Sequence, residues 1–319
     1  MEMEFLNKEI EASGKKVHSL LIYKSKELLL ESYFNGKTAS DLQNLYSCTK
    51  SISSLLMGIA LGRNSSVGLD TPIAKLLPEY DQGQKRLDQL TLRHFMNQTT
   101  GFKWMETGRQ FAPGHSGFDM EQTEDWGEFL FNQPISTDPG KRFSYNTGVS
   151  HVLPLIAGRV AHCEPKDLLE ESLLGPLGIE DYKWEEDPQG NPLGGKGLHL
   201  APRALLEIGK MVMAGGEYNG KRIVSSDWLK ESLSPQARGH IYYGTYGYQW
   251  WLKRWDTGPQ VAEEGHNVFC GIGFGGQFLF LVPDWDLIVV FTGKLIGAEN
   301  FEYPQALVRE QILPYFQDI

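Results

Sequence analysis

Cysteine is scarce in this chain. Only Cys48, Cys163 and Cys270 occur, scattered and odd in number, which excludes a disulfide framework and a C-x-x-C metal pair and fits a reducing compartment. Basic charge is short as well. The 30 Lys and Arg face 40 Asp and Glu, for a net charge of -10, and no basic run interrupts that balance, so nucleic acid is excluded as a partner. An apolar run of membrane-spanning length is missing. The opening MEMEFLNKEIEASGKK is acidic and polar, neither a signal peptide nor a membrane span, so a cytoplasmic location is expected for the chain as it stands. Two catalytic signatures are absent too: the G-x-S-x-G nucleophile elbow and the H-E-x-x-H zinc pair. No internal repeat or low-complexity segment is visible.

Two further patterns are present but lack their context. Gly271 to Gly276 reads GIGFGG, which satisfies the G-x-G-x-x-G spacing of a dinucleotide loop. That loop needs a following helix to receive the pyrophosphate. Here Gln277–Val282, the turn Pro283-Asp284-Trp285 and Asp286–Phe291 read as an antiparallel hairpin. The glycines then sit at the start of a strand, where the missing side chain admits a close neighbour, whether a ligand, another segment or a bulge. Gly190 to Gly197, GNPLGGKG, resembles a phosphate-binding P-loop, but Gly197 stands where the magnesium-binding hydroxyl is required. A flexible loop is the expectation there.

What is present suggests strands at both ends and helices between. Val17–Lys24 and Glu27–Phe34 read as a hairpin. From about Ser47 to Ile208 the pattern is helical, with few strand signals, broken by loops such as QFAPGHSGFD and EEDPQGNPLGGKG. A helix near Pro202–Ala214, a strand over Tyr246–Lys253, the GIGFGG hairpin and a helix near Tyr303–Phe316 complete the chain. The expected class is α/β in the α+β sense: an antiparallel sheet built from both termini, flanked by helices, with a largely helical insertion. Residues 1–70 and 197–319 would form the sheet domain and 71–196 the helical one, with the active site between them.

S-x-x-K occurs twice. Ser13–Lys16 lies in a glycine-containing turn that fixes nothing, whereas Ser47–Lys50 begins SCTKSISSLLMGIALG. There Ile52, Leu55, Leu56 and Ile59 recur at helical spacing with one buried face. Ser47 falls at the helix N-terminus, and Lys50 shares its side, within reach of the hydroxyl. Burial and the positive end of the helix dipole would both lower the lysine pKa and make it a usable base. The competing reading is a serine N-cap beside a snorkelling lysine.

A third segment, PGKRFSYNTG at Pro139–Gly148, joins SCTK in order. Together they resemble the serine β-lactamase and penicillin-binding-protein superfamily, in its class C-like serine hydrolase and esterase branch. The similarity extends through Gly68–Tyr80, Leu90–Phe102, Gly197–Trp228 and Gly275–Gly293. It implies that Ser47 is the acylated nucleophile, Lys50 its base or proton relay and Tyr145 a second acid/base group. The backbone amides of Ser47 and Phe274 would form the oxyanion hole. Thr147 replaces the asparagine of the family's Y-x-N, and Asn146 beside it is a candidate substitute for substrate contact. Gly271, Ile272 and Gly273 stand at the third motif, usually K-T-G or H-x-G. A tyrosine ionising below its usual value near ~10 would serve as base; a half-buried structural aromatic is the alternative.

The resemblance implies no metal and no organic cofactor. It implies a small acyl substrate, an ester or amide, cleaved through an acyl-enzyme. A penicillin-binding or cell-wall D,D-peptidase-like protein, or a true β-lactamase, remains the alternative.

Overall fold

Leucine, isoleucine and valine fill the first hairpin and the last strand, and it is these that pair. In the computed structural model, which describes residues 3–81, 87–106, 112–255 and 266–317, β1 (Val17–Lys24) runs antiparallel to β2 (Glu27–Tyr33) on one side. On its other side it pairs with β13 (Leu287–Gly293), Leu20 opposite Phe291. The two ends of the chain therefore share one sheet. A small sheet holds β3 (Gln43–Asn44), β4 (Tyr182–Trp184) and β5 (Leu198–Leu200), and a separate ribbon holds β6 (Glu217–Tyr218) and β7 (Lys221–Arg222). The large sheet continues through β8 (Ala237–His240), β9 (Gly244–Tyr246), β10 (Trp251–Trp255), β11 (His266–Gly273) and β12 (Gln277–Val282), in the order β2-β1-β13-β12-β11-β10-β9-β8.

Both faces of that sheet are covered, which explains why QFLFLV is apolar at successive positions rather than alternating. Phe278 and Phe280 join Leu20, Ile22 and Phe291 under helix α1 (Glu4–Ala12) and the C-terminal helical stretch, which contribute Leu6, Ile10, Val308 and Ile312. Leu279 and Leu281 face the other way, against helix α2 (Thr49–Arg63) and the Pro202–Met213 helix. That second core runs without interruption from the sheet into the helical region, through Leu130, Val149 and Leu173. Each fully buried large apolar side chain contributes about 1.5–3 kcal/mol. No helix among the described residues is long and apolar enough to cross a membrane.

Several expectations need correction. The N-terminal segment forms a helix, because Leu6 and Ile10, four apart, bury on one side of an otherwise charged stretch. Helix α2 does not bury one face only. Every residue from Thr49 to Ala60 is buried, since the helix lies between the sheet and the helical layer. Two of its three serines donate outward, Ser51 Oγ to the Gln249 carbonyl at 2.9 Å and Ser53 Oγ to that of Gly194 at 2.8 Å, whereas the buried Ser54 Oγ has no partner among the described residues. The strand expected over Tyr246–Lys253 is a hairpin, with Tyr246 paired to Trp251 and Gln249 at φ 63° in the turn. Gly194 and Gly195 are not in a flexible loop but are buried against Ser150 and Thr147. Within QFAPGHSGFD, Gln110 and Phe111 lie outside the described residues, and Ser116–Glu121 is helical rather than loop.

Candidate active site

The chain reaches Ser47 under local strain. Tyr46 sits at φ 44°, a left-handed conformation uncommon for a bulky side chain, and its amide is held by Asn44 Oδ1 at 2.8 Å. A single 3₁₀ turn, Tyr46–Cys48, then leads into α2. Ser47 is therefore not a helix cap: neither helical segment receives a side-chain cap bond at its start. The Ser47 hydroxyl is left free to face Lys50, whose Nζ donates to it at 3.1 Å.

Lys50 is almost wholly buried, at 1% exposure. Its amine also donates to Thr147 Oγ1 at 3.1 Å and to the Gly195 carbonyl at 2.7 Å, and lies 4.8 Å from the centre of the Tyr145 ring. Burial pushes its pKa down to about 8; the Glu106 carboxylate opposes this, and the Lys196 ammonium adds to it. Tyr145 behaves oppositely to expectation. Part of the side chain remains exposed, yet burial of the phenol raises its pKa above the ordinary tyrosine value. A hydrogen bond with Ser47 acts against that rise without cancelling it, and Glu106 reinforces it. The ring stacks on Trp251 at 5.7 Å and meets Tyr246 edge-on at 6.3 Å. Desolvation, the largest influence on the phenol, disfavours its charged form.

Of the Tyr-Asn-Thr run, Thr147 faces the lysine and Asn146 does not. Asn146, 1% exposed, accepts through Oδ1 from the Val149 amide at 2.9 Å and so caps the short Thr147–His151 helix, while its backbone N–H donates to Gln98 Oε1 at 2.7 Å. Its Oδ1 is thus committed to the helix cap, while its Nδ2 has no partner among the described residues. Gln98 Nε2 continues to Ser150 Oγ at 2.7 Å, and Ser150 Oγ to Gln249 Oε1 at 2.8 Å. Gln249 also receives Ser51 of α2 through its carbonyl, so one buried polar network ties the Tyr145 segment to the nucleophile helix.

Of the glycines in GIGFGG, Gly271 and Gly273 end β11, and Gly275 and Gly276 form the turn that leads into β12. Gly271 and Gly273 lie on the side of β11 facing the Ser47 segment. A Cβ at Gly273 would stand 2.1 Å from the Leu45 carbonyl oxygen, whereas one at Gly271 would meet Ser51 Oγ at 3.3 Å. The near neighbour of Gly273 is backbone, that of Gly271 the Ser51 and Cys48 side chains. Ile272 points the other way, buried with Cys270 and Phe278, so its expected place in the substrate cleft is corrected. Phe274 follows directly, and its ring lies edge-on to Tyr46 at 5.6 Å. This juxtaposes the segments carrying the Ser47 and Phe274 amides. Gly273→Ala is expected to cost about 1–3 kcal/mol of stability, because the strand must move off Leu45. Gly271→Ala should cost clearly less; equal denaturation midpoints would show that the Gly273 contact is no constraint.

Glu106 was not anticipated. Its Oε1 accepts from Trp104 Nε1 at 2.6 Å and from the Thr147 amide at 2.7 Å, and its Oε2 from Thr147 Oγ1 at 2.9 Å. Arg203 is engaged by Glu31 of β2 at 2.5 and 2.6 Å. The cation that acts on Lys50 is Lys196, paired with Glu121 at 2.5 Å and 5.5 Å from the Trp126 ring centre.

Comparison with known proteins identifies the family. The Beta-lactamase family model matches residues 10–295. The chain belongs to the Beta-lactamase family. It is 26% identical over 289 residues to the 6-aminohexanoate-dimer hydrolase of Paenarthrobacter ureafaciens, covering 85% of this chain and 71% of that protein. Among solved structures, a Bacillus anthracis protein assigned as a 6-aminohexanoate-dimer hydrolase superposes with a TM-score of 0.79 at 18% identity, covering 98% of this chain and 82% of the other. EstCE1, a hydrolase with promiscuous acyltransferase activity, superposes at 0.74 with 15% identity, covering 93% and 94%. Family membership makes this chain a hydrolase, consistent with a serine acyl-enzyme, and the mixed α/β fold with its large antiparallel sheet is shared with those structures.

Proposed function

We propose that Ser47 is the acylated nucleophile of a hydrolase acting on small, uncharged esters or amides. The observation that carries this reading is a buried Lys50 amine, 3.1 Å from the Ser47 hydroxyl, with its pKa brought down to about 8. In its neutral form Lys50 takes the Ser47 proton as Oγ bonds to the substrate carbonyl carbon. The Ser47 and Phe274 amides receive the developing oxyanion, where each donor is worth about 2.7–4 kcal/mol. Tyr145, neutral because its pKa is raised, acts as an acid. It gives its phenolic proton to the departing oxygen or nitrogen and recovers one through the Ser47–Lys50 hydrogen bonds. Water then attacks the acyl carbonyl, loses a proton to the same groups, and frees Ser47.

Substrate class follows from what faces the nucleophile. In the β-lactam-processing pattern a lysine and a hydroxyl on the third-motif strand hold the carboxylate, a charge-assisted contact worth about 1.5–3 kcal/mol. Gly271 and Gly273 offer neither, Ile272 is turned away, and Lys196 is already paired with Glu121. Losing that contact costs roughly ten- to a hundredfold in kcat/KM. The named activity of the Paenarthrobacter relative supports including amides. Expected are kcat/KM values for p-nitrophenyl acetate, or for an uncharged amide, well above those for nitrocefin and benzylpenicillin. A nitrocefin value equal to or above that for the ester overturns this substrate class in favour of a β-lactamase.

A further inference from the structure

Lys50 has three hydrogen-bond neighbours, Ser47 Oγ, Thr147 Oγ1 and the Gly195 carbonyl. As an ammonium it donates to all three. As a neutral amine it has two N–H groups and one lone pair, so one neighbour must instead donate to it. Which one does so decides whether the lysine can act on the nucleophile. The Gly195 carbonyl can only accept. Two hydroxyls remain, those of Thr147 and Ser47, and each could in principle point its proton at the amine.

Glu106 removes that ambiguity. The carboxylate accepts from Trp104 Nε1 and the Thr147 amide on one oxygen, and from the Thr147 hydroxyl on the other. A hydroxyl has one proton. Given to Glu106, it leaves only lone pairs on Thr147 Oγ1 to face the lysine. Neutral Lys50 must then donate to Thr147 and Gly195, and its lone pair is left for the Ser47 O–H. We infer that Glu106 is a positioning residue: by fixing Thr147 as a donor toward itself, it orients the Lys50 lone pair onto Ser47. This rests on the assignment of Ser47 and Lys50 under Proposed function.

The carboxylate has a second, separable effect. Its charge holds the Lys50 pKa up against burial and Lys196. Replacing it by an amide of the same shape changes both effects in a readable way. In Glu106→Gln the carboxamide oxygen stays toward the two donors Trp104 Nε1 and Thr147 N–H, so the NH2 group faces the Thr147 hydroxyl and donates to it. Thr147 then turns its own proton to Lys50 and occupies the lone pair. The base is more often neutral and less often aimed.

The test measures ester hydrolysis against pH and the rate of fluorophosphonate labelling of Ser47, in folded wild type and variants. Glu106→Gln is expected to lower kcat by on the order of 10- to 100-fold, part of the ~10²–10⁴ that a positioned base supplies, with KM little changed. The acid limb of kcat/KM should move to lower pH than in wild type. Thr147→Val should lose a similar factor, Thr147→Ser should recover most of it, and Glu106→Gln with Thr147→Val should lose little more than either alone. If wild type is not labelled at Ser47, the nucleophile assignment falls and this inference with it. If wild type is labelled but Glu106→Gln keeps its kcat and its acid limb, the role of Glu106 alone is overturned. Should Glu106→Gln fail to fold, the Thr147 pair decides, and equal activity of the Val and Ser forms overturns the inference.

Discussion

Ser47→Ala is expected to abolish covalent capture of a fluorophosphonate and to lower ester hydrolysis by up to about 10⁶, the scale seen when a nucleophile that works as part of a unit is removed. The fold should survive. Ser47 gives no cap bond to either helical segment, and Lys50 keeps two of its three acceptors, Thr147 Oγ1 and the Gly195 carbonyl. The stability cost is then about 1 kcal/mol, near the lower end for losing one partner of a buried polar group. Ser13→Ala is the matched control, since Ser13 closes the end of α1 by donating to the Ile10 carbonyl at 2.6 Å. Mass spectrometry of the intact protein after labelling gives the answer directly. An adduct of unchanged yield on Ser47→Ala excludes this serine as nucleophile.

The parts of the site that were legible in the sequence are those set by short-range spacing. Ser47 and Lys50 are three residues apart across a 3₁₀ turn that runs straight into α2, so their meeting follows from local helical spacing, and the lowering of the lysine pKa follows from the burial of that helix. The sheet built from both termini was legible for a similar reason: the apolar runs at Val17–Lys24 and Leu287–Gly293 each need a partner strand. Long-range consequences were not. Glu106 is one of 40 acidic residues, and its meaning depends on Thr147, 41 positions away. The direction of the Tyr145 shift depends on what desolvates the phenol, and Trp251 and Tyr246 come from the far side of the chain. Gly273 could be read as admitting a close neighbour, but only the fold identifies that neighbour as the Leu45 carbonyl. The same limit explains Asn146, whose cap on the following helix competes with any contact to substrate.

Proton transfer gives the second large effect, and it separates the lysine from the tyrosine. With the Lys50 pKa near 8, roughly a tenth of the molecules carry a neutral amine at pH 7, against roughly three in ten thousand for an unshifted lysine. Because the base must be neutral, kcat/KM for an uncharged ester should rise about tenfold per pH unit below the midpoint and level off above about 8. Lys50→Ala should remove that limb and lower kcat by about 10²–10⁴. Tyr145→Phe should lose activity as well but keep the limb, since burial raises the phenol pKa and its proton is the one donated, not the one that titrates. Groups that pass a single proton between them act as a unit, so the double variant should fall little below the worse of the two single variants. Multiplicative losses point instead to independent steps. A limb that vanishes in Tyr145→Phe and persists in Lys50→Ala reverses the assignment, making the phenolate the base despite its desolvated surroundings.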